Sequence, residues 1–433
     1  MKITKAFLPL GLAVAVTVSV VLSAMIWTNP AQYERNRQRS SNTTTTELST
    51  RPQRDVYLPT QVVYSDGNGN QELLNNRKVN LTTELREVLN KWQFGRVNNV
   101  RVSSKAAYMR YLTRKSSLLL SYASPINVRM FNTVFGSQLN SQTTQFSRIL
   151  VPLDKQDHIY LLDDRKQDVY EVTVKSADAK AIRKIMKENL FRIDVKMKWL
   201  SQAATAYVTS SVTVPSYSYL VNQQSTDYFT SRLLNKGEST NVSAKKNKDN
   251  TIYSDGASRQ LTVYHKQGTA LFEDYSALQS SLSFSQALKA SYSAVKTIGI
   301  PMENLRYYGY SAANSTVTYR SFVEGFPIFN QSDYGAARIQ MLSQGVRRYN
   351  FSRYSLQVPV PTDKKSVTLP GTQAVIKQLV AAGYSQSKIS SLQVGYQWLT
   401  SSSSDKVVNL TPTWYVHYNG SWKTYTQMLK QQQ

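Results

Sequence analysis

The side chains in this chain that could do chemistry are few and scattered. There are three histidines, His158, His265 and His417, and no cysteine. Zinc and most transition metals are held by Cys, His and carboxylates at short, recurring spacings. These histidines are far apart in sequence. Each lies in or beside an apolar, aromatic, strand-like stretch, which reads as an ordinary structural histidine. No Gly-x-Ser-x-Gly elbow, phosphate loop or dinucleotide fingerprint occurs, and no Ser-x-x-Lys is accompanied by its partner motifs. Two acidic features remain. Asp163-Asp164 stands at a strand end beside Arg165 and Lys166. Successive strand residues face opposite sides, so the pair reads as a solvated turn. Glu324 is the one acid in Phe322-Val323-Glu324-Gly325-Phe326-Pro327-Ile328-Phe329. A hydrolase would need a second acid beside it; pairing with an arginine or with backbone amides is the simpler role. The sequence therefore predicts a non-enzyme, with no metal and no cofactor.

The elements that carry these residues begin near Asp55. Residues 56–58 and 61–64 read as strand, and Asp66-Gly67-Asn68-Gly69 as a turn. Leu85, Val88, Leu89 and Trp92 recur at helical spacing after Thr82, with Gly95 just past the end. Strands at 118–122, 149–151, 159–162 and 169–174 follow, with an amphipathic segment from Pro125 toward Phe135. A helix carrying Ala179, Ile182, Ile185, Met186 and Leu190 closes an α+β domain over 55–195. Residues 196–283 read as β-rich, with a charged loop at 236–250. Residues 284–433 read as an α+β domain with a duplicated unit. A helix at 284–298 precedes Leu305 and Gly309-Tyr310, and a helix at 371–382 precedes Leu392 and Gly395-Tyr396. Fourteen residues after the tyrosines come Glu324 with Phe326-Pro327, and Leu410 with Thr411-Pro412. One such helix–strand–strand unit cannot bury its own sheet face; two together can.

Ahead of all this lies an uncharged run, residues 6–27, AFLPLGLAVAVTVSVVLSAMIW. Roughly 22 residues at about 1.5 Å each make a helix of about 33 Å, enough to cross a bilayer core. Lys2 and Lys5 precede it, as in an export signal. A cleaved signal peptide is the rival reading, but its apolar core is usually about 7–15 residues and ends at a small-x-small site. The best site here, after Ala24, has Leu22 where a small residue is wanted. Length and site together favour an uncleaved anchor at 6–27, with residues 1–5 before it and a polar linker at 28–54 after it. Ala13, Ala15, Thr17, Ser19, Ser23 and Ala24 are small residues in the run, the kind that lets helices approach closely in lipid. They are candidate contacts with other transmembrane helices, or simply tolerated in a tether. Arg35, Arg37 and Arg39 follow the anchor and by the positive-inside rule lean toward a cytoplasmic body, although that rule is weakest for long translocated segments.

The body is globular by composition. Of the 433 residues 41% are hydrophobic, 18% are charged and 28 are tyrosine. A net charge of +25 raises nucleic acid as a partner, but the charge is spread along the chain and no nucleic-acid-binding motif accompanies it. Anionic lipid headgroups and anionic wall polymers suit it better.

In order and spacing these features resemble the YycH family. The segments that carry the resemblance are the apolar run, Val56-Tyr57-Leu58-Pro59-Thr60, Tyr253-Ser254-Asp255-Gly256, the 322–329 segment, and Leu410-Thr411-Pro412-Thr413-Trp414-Tyr415-Val416. Glu324, Gly325, Pro327, Pro412 and Trp414 are its most specific positions, and none of these segments is a catalytic motif. The resemblance implies a single-pass membrane protein with a cytoplasmic N-terminus and an extracytoplasmic body. It further implies an accessory regulator of the WalK/WalR (YycG/YycF) two-component system of Gram-positive bacteria, which controls cell-wall metabolism. Its partners would be the sensor histidine kinase, reached through transmembrane helices, and a YycI-like accessory protein. A wall-binding protein that holds anionic polymer without kinase contact is the alternative.

Overall fold

The computed structural model describes Val16, Ser19 and residues 51–430, apart from 78, 202, 235–241, 277–281, 330–336, 343–344, 401–403 and 405. The apolar run 6–27 therefore lies outside the described residues except for Val16 and Ser19, which are helical and exposed. Among the described residues no helix is long and apolar enough to cross a membrane.

The N-terminal lobe is one antiparallel sheet of nine strands. In chain order these are β1 (Gln61–Ser65), β2 (Gln71–Asn75), β3 (Gln93–Val100), β4 (Ser117–Asn127), β5 (Gln145–Pro152), β6 (His158–Asp163), β7 (Asp168–Ser176), β8 (Phe191–Leu200) and β9 (Ala203–Val208). Their spatial order is β3-β7-β6-β5-β4-β1-β2-β8-β9. Leu118, Leu119 and Leu120 are consecutive and all buried. Side chains alternate across a strand, so such a run needs apolar cover on both faces. It has it. Leu118, Leu120, Ile149 and Val172 share a core with Leu85, Phe131 and Ile182 of the helices α2 (Leu81–Leu89), α4 (Val128–Phe135) and α5 (Ala179–Met186). Leu119, Leu150 and Val63 face the other way, into a core with Tyr108 and Leu112 of α3 (Lys105–Leu112).

The helices start where polar caps satisfy their free amides. Asn80 accepts from Thr82 N, Ser104 from Ala107 N, Asn127 from Met130 N and Asp178 from Ala181 N. Two local expectations are corrected. Residues 53–56 form a short helix, α1 (Gln53–Val56), so 56–58 is not strand. Gly95 lies inside β3, at an irregularity in its pairing with β7, where a Cβ would overlap the Thr173 hydroxyl. A glycine that reads as a helix stop is thus a site of close strand approach.

The C-terminal lobe holds two sheets hinged at one hairpin. In the first, β12 (Ser243–Lys246), β13 (Asn250–Ser254), β14 (Arg259–Tyr264), β15 (Thr269–Asp274), β20 (Arg347–Ser352), β19 (Ala337–Met341), β17 (Thr316–Val323) and β16 (Leu305–Ser311) pair in that order. Strands on either side of residue 283 thus share one layer, since β15 pairs with β20. The second contains β18 (Phe326–Phe329), β23 (Ile389–Thr400), β24 (Val407–Tyr418), β11 (Tyr217–Gln223) and β21 (Tyr354–Val360), with β25 (Ser421–Thr424) on β24. A two-stranded pair, β10 (Val212–Val214) with β22 (Val367–Leu369), lies apart. Helix α6 (Thr226–Leu233) precedes β12, and helix α7 (Phe284–Ile298), opened by a Ser283–Gln286 capping box, leads into the β16–β17 hairpin. Helix α8 (Thr372–Ala381) leads in the same way into β23–β24. The protein is α+β.

The lobes are joined by buried polar contacts. The Tyr57 hydroxyl donates to the Leu288 carbonyl at 2.8 Å and lies 2.7 Å from the Tyr319 hydroxyl, which is 2.7 Å from Ser291 Oγ. Arg306 donates to the Pro59 carbonyl at 3.1 Å and to Thr82 Oγ1 at 2.9 Å. Tyr292 donates to the Arg51 carbonyl at 2.6 Å.

Candidate functional site

Glu324 and Gly325 form the whole turn between β17 and β18, with Val323 opposite Phe326 and Phe322 opposite Pro327. Both have positive φ, 48° and 82°. Two-residue hairpins favour such turns because their twist matches the strands. Glycine adopts the left-handed region freely; glutamate does so only at a cost of about 1–3 kcal/mol. A Cβ on Gly325 would overlap the Asn75 carboxamide, so the hairpin tip seats against the end of β2. The Glu324 carboxylate lies 3.7 Å from the Arg77 guanidinium and accepts a hydrogen bond from the Tyr217 hydroxyl. Burial pushes its carboxyl above the usual range, and the Tyr217 hydrogen bond and Arg77 charge pull it partly back. Arg77 itself lies over the Phe191 ring, 4.6 Å from its centre. The tip therefore binds the N-terminal lobe through Asn75 and Arg77, and the second C-terminal sheet through Tyr217. A guanidinium and a phenol hold the carboxylate, an arrangement suited to a joint.

The two sequence segments at 322–329 and 410–416 meet in space. Phe329 stacks on Tyr415 with centres 3.8 Å apart, and Arg320, 1% exposed, lies 4.0 Å from the Phe329 centre on another side of the same cluster. Trp414 is buried and its indole N–H donates to the Pro370 carbonyl at 2.9 Å. Pro412 falls between the end of the β11 pairing at Leu410 and the start of the β25 pairing at Tyr415. A proline is tolerated in an interior strand where the ladder is interrupted.

A cleft of about 700 Å³ opens between the lobes, walled by β4, β9 and the 308–327 and 390–394 stretches. On its N-terminal wall is a closed polar network. Arg148 grips Asp164 through Nε and Nη2, at 3.0 and 2.7 Å, and its Nη1 donates to Ser121 Oγ at 2.7 Å. Arg148 also donates to the Ala204 carbonyl. Asp164 further accepts from the Tyr108 hydroxyl at 2.7 Å and from Ala204 N at 3.2 Å. Asp163 and Asp164 are 1% and 4% exposed. The expectation of a solvated turn is therefore corrected: Arg148, 16 residues upstream, supplies the charge that lets Asp164 be buried. Burial pushes the Asp163 carboxyl up, partly offset by its bond from Arg165 N.

The histidines are separate. His158 contacts Asp157 and Glu171, His265 lies 3.0 Å from Thr251 Oγ1, and His417 hydrogen-bonds Ser390. Among the described residues no three metal-ligating side chains cluster. Of the small residues in the apolar run, Ser19 is described, helical and exposed. Ala13, Ala15, Thr17, Ser23 and Ala24 lie outside the described residues. Sequence reasoning missed Arg148, Arg320 and Tyr122 as cleft residues. The available signal was an arginine inside an apolar strand, as in Phe146-Ser147-Arg148-Ile149 and Tyr319-Arg320-Ser321-Phe322.

Two family models match in tandem. The N-terminal domain of the YycH protein matches residues 4–190, and its C-terminal domain matches residues 204–432. The two-component system WalR/WalK regulatory protein YycH of Bacillus subtilis (strain 168) is 22% identical over 438 residues, covering 94% of this chain and 93% of its own. The crystal structure of YycH from Bacillus subtilis superposes with a TM-score of 0.71 at 19% identity, over 88% of this chain and 99% of that one.

Proposed function

The chain belongs to the YycH family, and we propose that it is a membrane-tethered, non-enzymatic regulator of a WalR/WalK-type two-component system. The observation that carries this reading is collinearity: both family domains match in order, and a WalR/WalK regulatory protein aligns over 94% of the chain. The N-terminal match starts at residue 4 and so takes in the apolar run. In this reading residues 6–27 span the membrane, the N-terminus is cytoplasmic and the body is extracytoplasmic. The engaged state of Glu324 and Asp164 supports a non-enzyme, since each carboxylate is held by an arginine. A sensor kinase is biased when a partner binds its two states unequally, and about 1–3 kcal/mol of coupling suffices. The small residues Ala13, Ala15, Thr17, Ser19, Ser23 and Ala24 would supply the helix contact, and the body would dock a YycI-like partner.

Affinity capture from membranes tests the assembly: the kinase and a YycI-like protein are expected together, and recovery of neither ends the proposal. Bulky substitutions at Ala13 or Thr17 should alter kinase output while export is kept. Unchanged output across a scan of 13–24 removes the helix contact but leaves the body's docking to be examined. The net charge of +25 favours a second reading, retention on anionic wall polymer. Salt-sensitive binding to purified walls in the absence of both partners would support it.

A further inference from the structure

We propose that the cleft between the lobes takes an extended, uncharged segment of another polypeptide, held as a strand between β9 and β23. The site stands whether or not the chain regulates a kinase. β9 ends the nine-stranded sheet and has a neighbour, β8, on one side only. The β8–β9 hairpin pairs Leu200 with Ala203 across a two-residue turn. Ladder bonds therefore fall on Ala203, Thr205 and Tyr207, and the N–H and C=O groups of Ala204, Ala206 and Val208 point off the sheet. Asp164 accepts from the Ala204 N–H, Arg148 donates to the Ala204 C=O, and Thr372 Oγ1 accepts from the Val208 N–H. Ala206, between them, lines the cleft, and its backbone groups have no hydrogen-bond partner among the described residues.

A second open edge lines the same space from the other lobe. The β24–β25 hairpin pairs Tyr418 with Ser421 across a two-residue turn, so His417, Tyr415 and Thr413 aim their backbone groups at β23, where they meet Ser391, Gln393 and Gly395. The N–H and C=O groups of Leu392 and Val394 are left pointing away from β24. On that side β18 pairs with β23 at Tyr396 and Gln397, and Pro327, the residue before that pairing, has no N–H to continue it. Leu392 and Val394 line the cleft, are 3% and 6% exposed, and their outward groups meet no partner among the described residues. Buried backbone groups are nearly always paired, so these edges call for a strand. They converge at one end, where the Ser201 hydroxyl donates to the Ile389 carbonyl at 2.9 Å. Donors and acceptors repeating at strand spacing are the complement of an extended peptide. The Asn75 amide nitrogen and the Tyr122 hydroxyl, buried in the walls without partners, add open donors. Charge in the walls is already matched: Arg148 pairs with Asp164, Arg165 with Asp163, and Arg320 and Arg338 are engaged. An uncharged segment therefore fits. The chain's own stem is committed to α7 and Arg306 from Arg51 to Pro59, which leaves the edges to another polypeptide. β23 lines the cleft over 390–394, room for about five residues at about 3.3 Å each.

The test is capture by the immobilised full chain, in neutral detergent, from a pool of N-acetylated, C-amidated pentapeptides of uncharged residues. Calorimetric titration with the best-retained member follows. Saturable binding is expected, weakened at least about tenfold when that peptide is N-methylated at alternate residues, which removes its donors along one edge. On binding, the amides of Ala206, Leu392 and Val394 should gain protection from hydrogen exchange. Ala206→Pro deletes the β9 donor without touching a ladder bond, so it should fold and weaken binding about tenfold. Should that variant not fold, the N-methylated peptide decides on the unaltered chain. Retention of no peptide overturns the proposal. So does equal binding of the N-methylated form, binding that leaves the three amides unprotected, or binding that a folded Ala206→Pro variant keeps in full. Water alone on the two edges, or an occupant supplied by this chain itself, would give the first of these results.

Discussion

Asp164 is a buried acid and Glu324 a half-buried one, each held by an arginine, yet they are built for different purposes. Asp164 lies 2.7 Å from Arg148, and the two side chains are 5% and 10% exposed. Every element that holds the pair, β4, β5, β9, α3 and the turn after β6, belongs to the same lobe. Glu324 lies 3.7 Å from Arg77, and the exposures are 15% and 46%. Its contacts join the β17–β18 hairpin to the other lobe and to β11 of the second C-terminal sheet. The first is a rivet inside a lobe; the second is a seam between lobes. Short distance and full burial make a pair that cannot be opened cheaply, while length and exposure make one that solvent can replace.

The sharpest way to break the comparison is at the rivet. Arg148→Met leaves Asp164 buried and unpaired, and should destabilise by about 3–5 kcal/mol in urea unfolding. Adding Asp164→Leu should recover much of that loss, because two apolar residues need no partner. A single variant no worse than the double would show that the charge pair is not what the network holds.

At the seam the largest effect should come from the backbone. Gly325→Ala meets both a positive φ of 82° and the Asn75 carboxamide, and should cost about 1–3 kcal/mol. Asn75→Ala in that background should return the part due to overlap. No recovery would mean that the cost is conformational alone.

Glu324→Gln should change stability by less than about 1 kcal/mol near neutral pH, since the pair is long and half open to water. Its pH signature is the clearer readout. Burial raises the folded carboxyl above the ordinary value of 4.5. The protonated form is therefore favoured by folding, fully so below the unfolded value, and that stability is lost as pH rises through the folded value. On acidification toward 4.5 the native chain should gain stability relative to the Gln variant. Parallel melting curves across this range would contradict it. The smallest effect should be Arg77→Gln, a few tenths of a kcal/mol, because its guanidinium keeps much of its hydration.

Much of the N-terminal lobe was legible because its signals are local. Leu85 and Leu89 mark α2, and Ile182, Ile185 and Met186 mark α5, by period alone. The helix–hairpin pattern after residue 284 was legible in the same way. What escaped was long-range. Nothing local tells that Thr269–Asp274 pairs with Arg347–Ser352, or that Phe329 will stack on Tyr415. Asp163-Asp164 looked wet because adjacent charges usually are, and only the arrival of Arg148 from β5 reverses that. Gly95 looked like a helix stop because strand irregularity leaves the same mark. The cleft residues come from both lobes, so their grouping depended on the lobe packing and not on any spacing in the chain.

The polypeptide enters the body at an unexpected place. Within eight residues of Arg51, whose carbonyl Tyr292 holds, the chain has passed Tyr57, which grips α7 and Tyr319, and Pro59, which Arg306 holds. The stem is thus pinned where the two halves meet and not at an outer rim. Tension drawn through residue 50 is shared by both halves at once, and would bear on their mutual angle before it unravelled either one.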